Sequence, residues 1–133
     1  MMMVVATDAP ILSRNLDRLA KRAMMGLART GSIAHNSSGD YVIAFSTNKD
    51  VRRDRGASEP VPSKTLSNTA MSPLFQAVVE AIQESVYNAM LKAETVTSSR
   101  GTLEAIDVEK VKVILKKYNV INFDETLPPV KQN

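Results

Sequence analysis

The chain has 133 residues, of which 44% are hydrophobic and 23% are charged. That length suits a single domain over residues 1–133 and is too short for two independent hydrophobic cores. The formal net charge of +3, from 17 basic and 14 acidic side chains, is too small and too scattered to indicate a nucleic-acid partner. Cysteine is absent, which excludes disulfides, thiolate catalysis and cysteine-ligated metal sites.

The first seven residues form an apolar run that is β-branched near its end and is followed by the turn Asp8–Pro10. This pattern predicts a strand buried on both faces. The run is far shorter than the ~20 residues of a membrane span, and it lacks the basic start and cleavage site of a signal peptide. We therefore expect a soluble chain without a membrane partner, located in the cytoplasm, with the periplasm as the alternative.

The next two elements are predicted from the spacing of apolar side chains. A helix that begins near Leu12 and covers a sheet is indicated by apolar residues at helical spacing, namely Leu16, Leu19, Ala20, Ala23 and Leu27. Residues 40–47 alternate as a second strand does, with Tyr41, Ile43 and Phe45 on one face and Val42, Ala44 and Ser46 on the other. A strand, a helix and a strand in this order indicate an α/β layer arrangement.

Residues 49–69 have the charge, glycine and proline content of a surface loop. The cluster formed by Arg52, Arg53 and Arg55 is interpreted as a solvated part of this loop. The alternative is a small basic binding protein that uses these arginines and the lysines of the tail. No aromatic side chain interleaves with the arginines to stack on bases, so we rank that alternative last.

Two further helices and a tail complete the prediction. Ser72 followed by Pro73 predicts a helix with a hydroxyl cap, which should run to about Glu94 and be ended by the segment Thr97–Gly101. Asp107 is placed to cap a last helix that ends near Tyr118, with Ile106 and Val111 as a hydrophobic staple. Residues 119–133 have the character of a partly ordered tail.

Three segments in this order resemble the smaller, or β, subunit of the DmpA-type aminopeptidases, which are the L-aminopeptidase/D-esterase and β-peptidyl aminopeptidase family, peptidase family S58. They are Val4–Pro10, then Ala28–Gly31 with Asn36–Asp40, then Pro73–Phe75 leading to Ala93–Thr97. The resemblance covers roughly residues 1–118. It implies an α/β (α+β) fold that forms half of a four-layer αββα sandwich, made from a precursor that cuts itself into two subunits.

The resemblance also implies an activity and its partners. The family releases N-terminal residues from short peptides, amides or esters by means of a new N-terminal Ser or Thr, without a cofactor or metal. The partners implied are a larger α subunit from the same precursor and further copies of the αβ unit. In the family pattern the nucleophile immediately precedes Met1, a position outside these 133 residues. Either it belongs to another part of the protein, or the chain is a non-catalytic assembly domain that keeps the fold without it.

A site of this kind needs no histidine or other side chain as its base. A chain-terminal Ser or Thr carries its own base, an α-amine whose ordinary pKa is about 7.7–8.0. Ser38 and Asp40 are two apart at the start of the second strand, so their side chains should point the same way. The residues alone favour a turn that merely starts the strand, whereas the resemblance implies that Ser38 hydrogen-bonds the nucleophile and that Asp40 holds an amine or orients Ser38. Asn36 and Ser37 either line the pocket or merely form a turn. His35, the single histidine, lacks the partners of a triad or a metal site.

Overall fold

The computed structural model describes residues 1–56, 58–60, 62–118 and 120–121. Contacts divide the chain into two compact units, one spanning Met1–Asn88 and the other beginning at Ala89. The single domain over residues 1–133 therefore stays a prediction, and nearly all of the predicted tail lies outside the described residues. Within the described part of the chain, no helix is both long enough and apolar enough to cross a lipid bilayer.

Two parallel strands and the helix between them form the centre of the first unit. Strand β1 (Met2–Thr7) pairs with β2 (Tyr41–Ser46) in a register that joins Met2 to Tyr41 and Thr7 to Ser46. Parallel strands need a crossover connection, and helix α1 (Ser13–Arg29) provides it. The predicted strand, helix and strand are all present, each within one residue of the expected start.

The core of the first unit lies between this sheet and two helices. The residues of α1 that are buried include Leu19, Ala23 and Leu27, on the face predicted from the periodicity. They pack with buried side chains from β1, from helix α2 (Ser72–Leu91) and from the connecting segments, namely Met3, Ile11, Met71, Val78, Ile82 and Val86. The periodicity of α1 therefore identified its buried face correctly.

The two helices of the first unit approach each other closely at Gly26. A Cβ atom added there would lie 2.6 Å from the carbonyl oxygen of Val79 and 2.8 Å from Cβ of Ile82, distances that real Cβ atoms do not reach. Nearby, the guanidinium of Arg22 lies 3.5 Å from the centroid of the Phe75 ring, a cation–π contact between the same helices. The absence of a side chain at Gly26 thus sets the distance between α1 and α2.

The prediction that β1 is buried on both faces is not met within this chain alone, and cover of the second face by a partner stays a prediction. Met3 is buried against the helices, but Met2 and Val4, on the opposite face, are 64% and 62% exposed. Tyr41, Ile43 and Phe45 of β2 continue the same exposed apolar face. The helices cover only one side of the sheet, and no other described element covers the second side.

Helix α2 differs from the prediction at both ends. A 3₁₀ turn over Asn68–Met71 runs directly into it, and Ser72 already has helical torsions with φ −60° and ψ −43°. Ser72 is therefore inside a continuous helical segment and is not the N-cap. The helix ends at Leu91 instead of near Glu94.

The second unit contains a hairpin that the sequence analysis did not predict. Strands β3 (Val96–Ser98) and β4 (Gly101–Leu103) pair antiparallel. The sequence analysis expected this segment only to end the preceding helix. The chain reverses at Ser99 and Arg100, and Gly101, which follows them, has φ +121°, a value that a glycine adopts readily. Helix α3 (Val108–Lys117) follows, and the predicted cap is confirmed, since Oδ1 of Asp107 accepts a hydrogen bond from the Lys110 amide at 3.1 Å.

Candidate active site

The candidate site lies at the edge of the sheet where both β1 and β2 begin. Because the strands are parallel, their starting ends meet, and the Met1 nitrogen donates to the Gly39 carbonyl oxygen at 2.7 Å. The Tyr41 amide then donates to the Met1 carbonyl oxygen at 2.9 Å. These two bonds extend the ladder one residue ahead of β1, so residues 38–40 are held directly beside Met1.

The carboxylate of Asp40 connects the two strand entries. Its Oδ1 accepts a hydrogen bond from the Met1 amine at 2.7 Å, and its Oδ2 accepts one from the Ser38 hydroxyl at 2.6 Å. The Asp40 side chain is only 7% exposed. The structure thus brings Ser38 and Asp40 together, as their two-residue spacing predicted, while their catalytic roles stay predictions.

These contacts affect the ionisation of Asp40. The hydrogen bond from the Met1 amine, and next the one from the Ser38 hydroxyl, lower the pKa of Asp40 below its ordinary value of 3.8, with removal from water opposing them only in part. The carboxylate is therefore an anion throughout the neutral range. It can hold an ammonium group and fix the direction of the Ser38 hydroxyl, but it is too weak a base to accept a proton at neutral pH.

The hydroxyl of Ser38 has a defined direction as a result. Its single proton is donated to Asp40, so only the oxygen lone pairs remain for another group. Ser38 can therefore accept a hydrogen bond from a neighbouring ammonium or hydroxyl, and it cannot donate a second one while Asp40 is ionised.

The residues immediately before Ser38 form a turn. The Ser38 amide donates to the His35 carbonyl oxygen at 2.7 Å, which places Asn36 and Ser37 at the two central turn positions. His35 Nδ1 and the Ser37 hydroxyl are 3.1 Å apart and form a local hydrogen bond. Within the described residues, no hydrogen bond joins His35, Asn36 or Ser37 to Asp40 or Met1, and a role of Asn36 and Ser37 in the pocket stays untested.

Gly39 is the site residue that the sequence analysis missed. Its carbonyl oxygen accepts the hydrogen bond from the Met1 nitrogen, and a Cβ atom at this position would lie 3.3 Å from the Tyr41 ring. Its involvement follows from the strand register, since Met2 opposite Tyr41 places Gly39 next to whatever precedes β1. In the described part of the chain, no cluster of three or more His, Asp or Glu side chains is arranged to bind a metal ion.

Several known proteins are similar to this chain in both sequence and fold. Residues 1–104 match the model of peptidase family S58. The β-peptidyl aminopeptidase BapA of Sphingosinicella microcystinivorans is 38% identical over 117 residues, which are 86% of this chain and 29% of BapA. The chain therefore spans less than a third of the length of this curated relative.

Two solved structures align over most of the chain. The L-aminopeptidase D-Ala-esterase/amidase of Ochrobactrum anthropi, described as a variant of the Ntn hydrolase fold, aligns with a TM-score of 0.78 at 34% identity, over 88% of this chain and 33% of that one. A β-aminopeptidase from Burkholderia sp. aligns with a TM-score of 0.73 at 34% identity, over 86% of this chain and 34% of that one. The predicted α/β fold class is confirmed, and the chain belongs to peptidase family S58, the DmpA-type aminopeptidase family.

Proposed function

We propose that this chain is the β-subunit part of an autoprocessed N-terminal-nucleophile aminopeptidase, with the nucleophilic Ser or Thr immediately before Met1. The observation that carries the proposal is the position of the Met1 nitrogen, which lies 2.7 Å from Oδ1 of Asp40. A residue joined to that nitrogen would begin beside both Asp40 and Ser38. The names of the matched relatives, which include an aminopeptidase, an esterase and an amidase activity, support amide and ester bonds as substrates.

The strand geometry gives the direction of the proposed nucleophile. Side chains alternate along a strand, so the residue before Met1 would share a face with Met2 and Val4. That face of the sheet is exposed in this chain. The hydroxyl of the nucleophile would thus project away from the helices, toward the side from which a second layer and the substrate can approach.

The reaction then proceeds with the α-amine of the nucleophile as the base. The neutral amine accepts the hydroxyl proton while the oxygen attacks the substrate carbonyl carbon, and the resulting ammonium returns a proton to the leaving amine. The acyl-enzyme ester that forms is opened by water, which restores the free hydroxyl. Asp40 remains ionised and holds the ammonium form, while Ser38 accepts a hydrogen bond from the amine or the hydroxyl and keeps it aligned.

The proposed partner is the larger α subunit, which would cover the exposed face of the β1–β2 sheet. Parallel sheets are normally buried on both faces. The side chains that need cover are apolar and contiguous, namely Met2, Val4, Tyr41, Ile43 and Phe45. In this proposal the larger subunit also supplies the oxyanion hole and most of the substrate pocket, and the αβ units associate further into an oligomer.

The test is to place a Ser immediately before Met1, free its α-amine by cleavage of an N-terminal fusion, and assemble the product with the larger subunit. Short peptides, aminoacyl amides and aminoacyl esters serve as substrates. We expect hydrolysis whose kcat/KM rises as the amine loses its proton near pH ~7–8, and loss of activity on N-acetylation. The matched control carries Ala at the same position. Activity with Ala would refute the mechanism, and an inactive but fully assembled Ser form would favour the non-catalytic assembly domain.

A further inference from the structure

Two arginines of α1 converge on one aromatic ring of α2. The guanidinium carbons of Arg18 and Arg22 lie 4.7 Å and 3.5 Å from the centroid of the Phe75 ring. Both arginines are half-buried, so each also reaches the solvent. Because the two guanidinium groups share one ring, a single tetrahedral oxyanion is large enough to accept hydrogen bonds from both, at the usual N···O distance of about 2.8 Å.

Neutral groups hold both guanidinium groups in place. Nη1 of Arg18 donates to Oδ1 of Asn15 at 2.9 Å and also to Oδ1 of Asn68. Nη1 of Arg22 donates to the carbonyl oxygen of Arg18 at 2.9 Å. These contacts fix the two side chains without adding negative charge. The arrangement is therefore preorganised, and both positive charges are retained.

The positive charge on this side of α1 is not neutralised by a neighbouring acid. Among the described residues, no salt bridge joins Arg14, Arg18 or Arg22 to a carboxylate, and Asp17 pairs instead with Lys21 at 2.7 Å. The three arginines recur at four-residue spacing, at which like charges destabilise a helix. Arg14 also lies in the first turn of α1, where the helix dipole disfavours a cation. A bound anion would offset both unfavourable effects.

The remaining polar groups at this position are hydrogen-bond donors. An arginine can only donate, so Asn15 and Asn68 turn their amide oxygens toward Arg18 and keep their Nδ2 donors for another group. Within the part of the chain that the structure describes, neither Nδ2 group has an acceptor. Asn68 also begins the 3₁₀ turn that continues into α2, so the positive end of that helix dipole lies beside it. All of these features favour a negatively charged ligand.

We propose that Arg18 and Arg22 form a binding site for a phosphate dianion, either inorganic phosphate or the phosphate group of a monoester. Two guanidinium charges are matched by a dianion, and phosphate is largely doubly ionised at neutral pH because its second pKa is about 6. A single carboxylate would neutralise only one of the two charges. The site shares no residue with the contacts of Met1, Ser38 and Asp40, so the proposal is independent of the proposed aminopeptidase activity.

NMR titration of the 133-residue chain tests the site directly. The Nε–Hε signals of Arg18 and Arg22 are followed at neutral pH while sodium phosphate replaces sodium chloride at constant ionic strength. We expect both signals to shift saturably with phosphate, and O-phosphoserine in a parallel titration shows whether a monoester is also accepted. Shifts that do not saturate would overturn the proposal and leave only general screening. Saturation by acetate as tight as by phosphate would also overturn it, and would indicate a carboxylate of another chain as the ligand.

Substitutions provide the second arm of the test. Arg18→Gln and Arg22→Gln should each weaken phosphate binding by at least about tenfold, because each removes one charged donor group. Arg22→Lys keeps the charge and loses the planar fork, so it should bind more weakly than the parent and more tightly than Arg22→Gln. Lys21→Gln is the matched control, since it removes one positive charge from the same helix and should leave the affinity unchanged. Thermal melts verify that each variant is folded, and Arg18→Gln tests the site even if Arg22→Gln is not. An equal loss in Lys21→Gln would show that the general charge of α1 is responsible and would refute the site.

Discussion

The two faces of the β1–β2 sheet are both largely apolar, but only one of them is covered by helices. On one face, Met3 and Val5 pack against the core formed by α1 and α2. On the other, Met2, Val4 and Ile43 are exposed. The difference indicates that apolar content identifies a surface that needs cover and does not identify which segment covers it. In this chain the first face is completed by its own helices, and we propose that the second is completed by another subunit.

The largest effect on stability is expected from a substitution beneath the sheet face that α1 and α2 cover. Leu19→Ala removes a side chain that is 2% exposed in the core beneath the sheet. We expect this cavity to lower the free energy of unfolding by about 2–5 kcal/mol in urea titrations of the chain. Val4→Ala, on the exposed face, should change it by less than about 0.5 kcal/mol. Similar losses from the two variants would mean that the second face is covered within this chain.

A charge on the exposed face should separate folding from assembly. Ile43→Asp should leave the unfolding midpoint of the chain nearly unchanged, because the side chain already contacts water. In the complex with the larger subunit it would bury an unpaired carboxylate, which costs about 3–5 kcal/mol. We therefore expect association, measured by titration calorimetry, to weaken by at least about 100-fold. Normal association of the variant would rule out this face as the interface.

The third prediction concerns Ser38 and Asp40, at the edge of the sheet where β1 and β2 begin. In an assembled enzyme that carries the nucleophile, Ser38→Ala and Asp40→Asn should each lower kcat by about 10²-fold while thermal stability changes little. His35→Ala is the matched control, since it removes a neighbouring polar side chain whose hydrogen bonds are local to the turn. Loss of turnover in His35→Ala together with normal turnover in Ser38→Ala would show that the site is assigned to the wrong residues.

The smallest effect should appear in the acid stability of the chain. The pKa of Asp40 is lowered in the folded chain, so its contribution to stability is present above its ordinary value of 3.8 and is lost as pH falls below it. Urea midpoints from pH 2 to 6 should therefore differ between the parent chain and Asp40→Asn above about pH 4 and converge near pH 2. A constant difference across this range would contradict the ionic contact between Asp40 and the Met1 amine.

The sequence predicted the strands and the helix that carry the site, but it did not predict which of their residues come into contact. The apolar periodicity located β1, α1 and β2, and the two-residue spacing placed Ser38 and Asp40 on one side. It did not predict that Asp40 contacts the Met1 nitrogen, because that contact depends on the register of two strands about 40 residues apart. Gly39 was missed for the same reason, since it contributes its backbone carbonyl oxygen and has no side chain that could indicate a role.

Local context explains the remaining differences. Ser72 has the residue type of a cap, but a preceding 3₁₀ turn continues into α2 and removes the need for one. The β3–β4 hairpin was missed because each of its strands has only three residues, too few for an alternating pattern to stand out. The Asp107 cap was predicted correctly because its hydrogen bond to Lys110 depends only on neighbours in the sequence.

The close approach of α1 and α2 at Gly26 has a consequence for strand β1. Ile82, whose Cβ would lie 2.8 Å from an added Cβ at Gly26, belongs to the same core as Met3 of β1. Any larger residue at Gly26 would force α2 to move relative to α1, and the core that supports β1 would shift with it. A substitution distant in sequence from both Ser38 and Asp40 would then appear, in a screen for activity, as a defect of folding.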